Sequence, residues 1–160
     1  MVFNIIMLIT GFAGMEVVAH VMHKYVMHGF LWSLHQSHHQ KSRGFWEKND
    51  LYFLIFATPG AALIMSGVNA GFDWKFFLGL GIALYGLTYL IVHDIIIHQR
   101  VKWFTRIEGT YIKALRRAHK AHHADVSKDA AVSYGMLWVD KKYYDQPLFP
   151  KRLQGQNVLF

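Results

Sequence analysis

The sequence predicts an all-α integral membrane protein, with about three to four transmembrane helices and a histidine-rich cap on their cytoplasmic side. Three observations predict it. Three long stretches carry almost no charge, ten of the eleven histidines fall into two blocks of one design, and only Lys75 of the seventeen Lys and Arg residues lies on the far side of the predicted bilayer. Hydrophobic residues make up 53% of the chain and aromatics 16%, too apolar for an ordinary small soluble domain, and 160 residues make room for a single domain.

The first span opens the chain. Residues 1–15, MVFNIIMLITGFAGM, carry no charge, and the apolar pattern continues through Val17, Val18, Ala19, Val21 and Met22 around the single Glu16. No Lys or Arg precedes it, so the segment reads as an uncleaved membrane helix rather than a signal peptide. Residues 51–72 and 76–92 are the second and third uncharged stretches. At about 1.5 Å per residue, such stretches reach roughly 26 to 33 Å, enough to cross a hydrocarbon core of about 30 Å. Pro59 is expected to kink the second span. The short turn near Asn69 to Trp74 makes the second and third spans an antiparallel hairpin. Each stretch alone could be a buried helix of a soluble protein; three with almost no polar face favour lipid.

Charge then orients the bundle. With Lys75 in the hairpin turn and every other cation at the opposite end, the positive-inside rule puts the N-terminus outside and both histidine blocks at the cytoplasmic face. From Gln99 onward the chain turns polar, basic and aromatic. Residues 111–121 have helical spacing, with Ile112, Leu115 and Ala118 on one stripe and Lys113, Arg116, Arg117 and Lys120 around it. That helix either lies on lipid headgroups or forms the solvated face of a cap. Residues 131–139 read as a strand or membrane-dipping segment, and the chain from about 146 as a flexible tail.

Composition excludes several chemistries. Cysteine is absent, which removes disulfides, thiolate metal sites and thiol nucleophiles. The net charge of +7 comes without a basic run or a nucleic-acid motif, so a membrane surface or an acidic protein partner accounts for it better than nucleic acid does. Gly79, Gly81 and Gly86 form G-x-G-x4-G, but inside a membrane span with no strand before it, which rules out a nucleotide-binding fingerprint.

The histidines carry the chemistry. HKYVMHGFLWSLHQSHH (His23, His28, His35, His38, His39) shows H-x4-H followed by H-x2-H-H, and the pattern returns split over HDIIIH (His93, His98) and HKAHH (His119, His122, His123). On a helix, residues at i, i+3 and i+4 share a face within about 100°, so each H-x2-H-H triplet points one way. Residues five apart diverge by about 140° on an ideal helix, so each H-x4-H pair needs a helix distortion or must serve two metals. Ten imidazoles also exceed the roughly three or four that one zinc uses, which hints at a dinuclear centre. Imidazole suits zinc, copper, iron and nickel alike. Neither Glu47 nor Glu108 begins the Glu-x-x-His pair of carboxylate-bridged bundles. His20 lies outside the pattern and reads as a packed side chain. Asp94, beside His93, and Asp125, beside the last pair, are candidate acceptors for ligating rings, with surface salt bridging the alternative for Asp125. Glu16, on the same helical side as His20 and His23, is an intramembrane carboxylate and a further candidate supporting residue. A non-enzymatic metal transporter or sensor would need ionisable residues along the spans, which are plain apart from Glu16 and His20. A pH-responsive binding protein is a further rival.

HKYVMHG with HQSHH, EKNDLY at Glu47 to Tyr52, VHDIIIHQR at Val92 to Arg100, AHKAHHA and VSYGMLW resemble, in that order, the bacterial β-carotene hydroxylases of the wider membrane fatty-acid and sterol hydroxylase superfamily. The resemblance covers roughly Met15 to Trp138. It implies an integral membrane di-iron monooxygenase of the bacterial inner membrane, which hydroxylates carbon 3 of β-ionone rings and takes β-carotene through cryptoxanthin to zeaxanthin. By the same resemblance, two non-haem irons are held by His23, His28, His35, His38, His39, His93, His98, His119, His122 and His123. Dioxygen is the co-substrate, and electrons come from an external donor such as a ferredoxin with its reductase. A fatty-acid or sterol hydroxylase or desaturase of the same superfamily is the alternative. Ile95 and Ile96 stand after Asp94 where the family usually has a small pair, which bears on pocket shape and ring preference.

Overall fold

The computed structural model describes residues 1–40, 44–124, 126–129 and 131–145, and it is helical with no strand among them. Helix α1 (Val2–Val21) runs without a break into a π-helical segment, Met22–Phe30. A short α2 (Trp32–His39) follows, then a 3₁₀ turn at Lys48–Asp50, α3 (Leu51–Asn69) and α4 (Trp74–Tyr89). A second π segment, Leu90–Ile97, continues α4, and α5 (Thr110–His123) and a 3₁₀ turn at Lys141–Tyr143 complete the chain. Three helical runs, Val2–Phe30, Lys48–Asn69 and Trp74–Ile97, are long and apolar enough to cross a membrane. Among the described residues there is no fourth. Phe3, Ile5, Ile6, Ile9, Val17, Phe53 and Leu54 remain exposed on these runs, as lipid-facing side chains should.

The middle helix of the three is α4, packed on α1 and on α3. Glycines make this possible. A Cβ on Gly81 would collide with the Leu8 carbonyl of α1, and one on Gly79 would lie 2.7 Å from the Gly60 carbonyl of α3. Backbones that close need small residues, the usual device where lipid supplies no hydrophobic drive between helices. Gly79 and Gly81 of the third span are therefore packing positions, while Gly86 faces open space. The helix α3 continues through Pro59, and the hairpin turn forms as expected, with Gly71 (φ 77°) and Phe72 (φ 63°) in the left-handed region and Asp73 capping α4 by accepting from the Lys75 amide at 2.9 Å.

The two histidine blocks meet at the end of the bundle opposite that turn. The first π segment stops at Gly29 (φ −102°, ψ −125°), where the chain swings into α2. Tyr52 at the start of α3 pins that corner by donating its hydroxyl to the Leu31 carbonyl at 3.1 Å. Helix α5 closes the cap on a small core of Ala114, Ala118 and Tyr143. Its arginines have a role that neither reading of its basic face gave them. Arg116 donates to the Ile96 and Ile107 carbonyls at 3.2 to 3.3 Å, satisfying the end of the second π segment, and Arg117 donates to the Tyr143 and Tyr144 carbonyls at 2.8 to 2.9 Å. Residues 131–139 are not a strand but an irregular strap laid between α1 and α5. The tail from 146 lies outside the described residues.

Candidate metal centre

Both H-x4-H pairs sit on π-helical backbone: His23 and His28 within Met22–Phe30, His93 within Leu90–Ile97 and His98 at its cap. In a π turn the hydrogen bond runs from i to i+5, and the wider turn brings residue i+5 nearer to the face of residue i than an α-helix does. Of the two options the spacing left open, a helix distortion or service to two metals, the backbone takes the first. It extends the membrane helices themselves, so the first rings of each pair are set by the bundle.

Ten imidazoles converge into two adjoining groups. Nitrogen atoms of His23, His28, His35, His39 and His122 lie within 4.8 Å of one another, as do those of His38, His93, His98 and His119. The ring of His123 stands beside the second group, 4.4 Å from His119, 4.7 Å from His38 and 5.0 Å from His98, and also stacks on His39 at 4.5 Å. The triplets therefore do not point one way. Rings spread over about 100° of helix straddle two neighbouring groups, so each triplet keeps its outer histidines with its own H-x4-H pair and lends its middle one, His38 or His122, to the other block. His20 is exposed and faces Tyr134, in neither group.

The outward-facing ring nitrogens explain why the inward ones are available. Nδ1 of His23 donates to the Tyr134 carbonyl (3.0 Å), that of His28 to the Lys128 carbonyl (3.0 Å) and that of His122 to the Val132 carbonyl (2.9 Å). Nδ1 of His35 donates to Asn49 Oδ1 (2.7 Å), that of His38 to Glu47 Oε2 (3.1 Å) and that of His93 to Asp94 Oδ1 (2.7 Å). Every one of these partners accepts, so the proton of each neutral ring is held on Nδ1 and Nε2 presents a bare lone pair. The lone pairs of these six rings face each other or a further ring: His23 to His35 at 3.0 Å, His28 to His122 and His38 to His93 at 3.2 Å, with His39 Nε2 3.2 Å from that of His35, and the Nε2 atoms of His98 and His119 2.7 Å apart. Bare nitrogens at that separation repel unless a cation lies between them. Ligands about 2.1 Å from one ion stand roughly 3.0 to 3.4 Å apart, the spacing of four of these five pairs, with His98 and His119 closer. His123 Nε2 is buried with no hydrogen-bond partner at all, an arrangement costly in a protein and ordinary in a metal site.

Protonation is not the remedy. Burial, first, and the neighbouring imidazoles lower the pKa of His38, His98, His119 and His123 well below the usual histidine range. Burial takes His35 and His122 to about 3. Burial therefore favours the neutral imidazole at these positions, the form in which a histidine can bind a metal ion.

Sequence reasoning placed Asp94 against His93 and left Glu47 and Asn49 without a role. Glu47, Asn49 and Asp50 all serve the site or its frame: the first two accept from His38 and His35, and Arg100 clasps Asp50 with both terminal nitrogens (2.8 and 3.0 Å) and reaches Asp94 at 3.7 Å. The position of EKND between the two blocks was its signal. The carbonyls of 128, 132 and 134 had none, since any residue supplies one. Glu16 touches no histidine ring that the structure pairs with it; its partners are Tyr85 and three backbone amides of the strap. Asp125 lies outside the described residues.

A helical membrane protein with two adjoining histidine groups that could each hold a metal ion, at one end of its bundle, is the class that this architecture defines. The fatty acid hydroxylase family profile matches residues 8–142, and the chain belongs to that family. Its relatives include the β-carotene hydroxylase of Pantoea ananas, 39% identical over 137 residues that cover 86% of this chain and 78% of that one. The β-carotene hydroxylase of Paracoccus sp. strain N81106 is 35% identical over 149 residues, covering 89% of this chain and 90% of the other. The chloroplastic β-carotene 3-hydroxylase 2 of Arabidopsis thaliana is 35% identical over 127 residues, 78% of this chain and 41% of the plant protein. These bear out the resemblance to bacterial β-carotene hydroxylases. No solved structure matches significantly.

Proposed function

We propose that the chain is a carotenoid hydroxylase that adds oxygen at carbon 3 of β-ionone rings, carrying β-carotene through cryptoxanthin to zeaxanthin. The observation that carries the reading is the set of inward lone pairs whose tautomers are fixed from outside. His23, His28, His35, His39 and His122 would hold one iron, and His38, His93, His98, His119 and His123 the other. Bound there, two irons supply the reductive activation of dioxygen that breaking an unactivated secondary C–H bond requires. Overall, dioxygen, two electrons, two protons and the ring C–H give the alcohol and water. An external reductant of the ferredoxin type would bring the electrons.

The protein's own part is placement. The Nδ1 acceptors fix ring orientation, burial keeps the rings neutral, and the cap restricts water. A carotenoid dissolved in the bilayer reaches the end of the bundle laterally, without crossing an aqueous phase. The charge distribution supports a cytoplasmic position for the histidine layer in the inner membrane.

Elemental analysis of detergent-purified protein is expected to find about two irons per chain, and a single zinc would overturn the metal assignment. Cells fed β-carotene are expected to accumulate 3-hydroxylated rings. Hydroxylated acyl chains or sterols without carotenoid product would move the assignment to the other branch of the superfamily.

A further inference from the structure

We propose that Glu16 is a positioning residue, a latch inside the membrane helix α1 that holds the strap of residues 131–138 over the first histidine group and so orients its rings. The inference rests on reading the two histidine groups as metal sites. A carboxylate in a membrane helix is costly, and such residues are retained where they have a partner. Here one oxygen, Oε1, accepts from three consecutive backbone amides, Met136 (3.0 Å), Leu137 (2.9 Å) and Trp138 (2.9 Å), while Oε2 accepts the Tyr85 hydroxyl of α4 at 2.7 Å. Three successive amides on one anion form a nest, which fixes backbone direction as well as position. The residue before them is Gly135, where a Cβ would stand 3.2 Å from Glu16 Oε1.

What the latch holds is the outer contact of the first group. Val132 and Tyr134 offer the carbonyls that accept from His122 and His23, and Ser133 between them is held in the left-handed region at φ 62°. A strained, irregular backbone keeps such a shape only when its surroundings determine it. Tyr111 adds a second tie from α5, donating to the Leu137 carbonyl at 2.7 Å. The second group is built otherwise: its known outer contacts are the side chains of Glu47 and Asp94, framed by Arg100. Loosening the strap should therefore harm one centre and spare the other, a difference that a general structural defect would not produce.

The test uses the full chain in detergent, stripped of metal and titrated with Co(II), whose visible absorption reports occupancy. Wild type is expected to take up two equivalents. Glu16→Ala is expected to weaken one of the two by about tenfold or more, the loss typical of outer contacts to metal ligands, and to leave the other. Glu16→Gln, which keeps an acceptor oxygen, should fall between, and Tyr85→Phe, which leaves the three amides bonded, should stay near wild type. Hydrogen exchange at the amides of Met136 to Trp138 should quicken in Glu16→Ala while α3 and α4 stay protected. If Glu16→Ala yields no folded protein, Gly135→Ala, which crowds the same carboxylate oxygen, is expected to give the same one-sided loss. Unchanged binding at both sites, or equal loss at both with α3 and α4 exposed, overturns the latch. Wild type taking up no pair of Co(II) ions overturns the metal reading and the latch with it.

Discussion

Acidifying the metal-free protein should destabilise it between about pH 6.5 and 3, and the amount follows from two buried rings. His35 and His122 are 1% and 0% exposed, and burial lowers both to about 3. Unfolded, each returns to about 6.5. The sign follows: with the folded pKa lowered, the unfolded chain binds more protons throughout the window, so stability is intact above 6.5, falls as pH drops and stops falling near 3. For one such ring the loss at pH 5.5 is about 1.4 kcal/mol, and for the pair about 3 kcal/mol, a coupled and order-of-magnitude figure. His38, His98, His119 and His123 shift in the same direction and add to it. The assay is the unfolding midpoint in detergent at pH 7.5 and 5.5, with a His35→Gln, His122→Gln double variant in which the fall should shrink by the pair's share. Loading the sites with metal should push the loss to lower pH, since protons must then compete with the ion. A midpoint that is flat from 7.5 to 5.5, or that rises on acidification, refutes the claim that the fold keeps these rings neutral.

Three further outcomes follow from the geometry. His38→Ala should lower metal occupancy at the group built on His93 and His98, and His122→Ala at the group built on His23 and His28, each crossing from its own block to the other; Co(II) titration of the pairs His38→Ala with His93→Ala and His38→Ala with His23→Ala tells them apart, because only the first should converge on one site. Arg100→Met should cost roughly 2 kcal/mol, below the 3 to 5 kcal/mol of a fully buried pair because about a fifth of each partner is exposed, and denaturation together with metal retention measures it. Gly81→Val should force α1 from α4 and cost about 1 to 3 kcal/mol, read as a lower unfolding midpoint with both histidine groups loosened together.

Much of this was legible in the chain because it depends on periods and on charge. Uncharged runs mark the spans, the placement of every cation but Lys75 sets both histidine blocks apart from the hairpin turn, and H-x4-H asks for either a helix distortion or two metals. What stayed hidden has no one-residue signature. That the distortion is a π turn, and not a kink, depends on how α1 and α4 end against the cap. The carbonyls of Val132 and Tyr134 could not be read because a peptide group looks the same at every position. Arg116 and Arg117 misled for the same reason: their charge advertised a surface, whereas their guanidinium groups were needed to satisfy carbonyls where helices stop.

The crossing of His38 and His122 has a consequence for how the two sites form. Neither group can be completed from its own block, so the first half of the chain, with α1 and α2, lacks one ring for its site until α5 is docked, and the second half lacks one until α2 is. The glycine contacts between α1 and α4 hold the two π segments at one end of the bundle. Docking of the cap is then what exchanges the middle histidines, and each exchange stabilises the other, because the His38 and His122 rings each sit on a short helix whose remaining histidines belong to the opposite site. On the reading that both groups hold metal, each site draws one ring from a helix whose other histidines serve its neighbour, so loss of His38 or His122 should be felt at the site across from its own block.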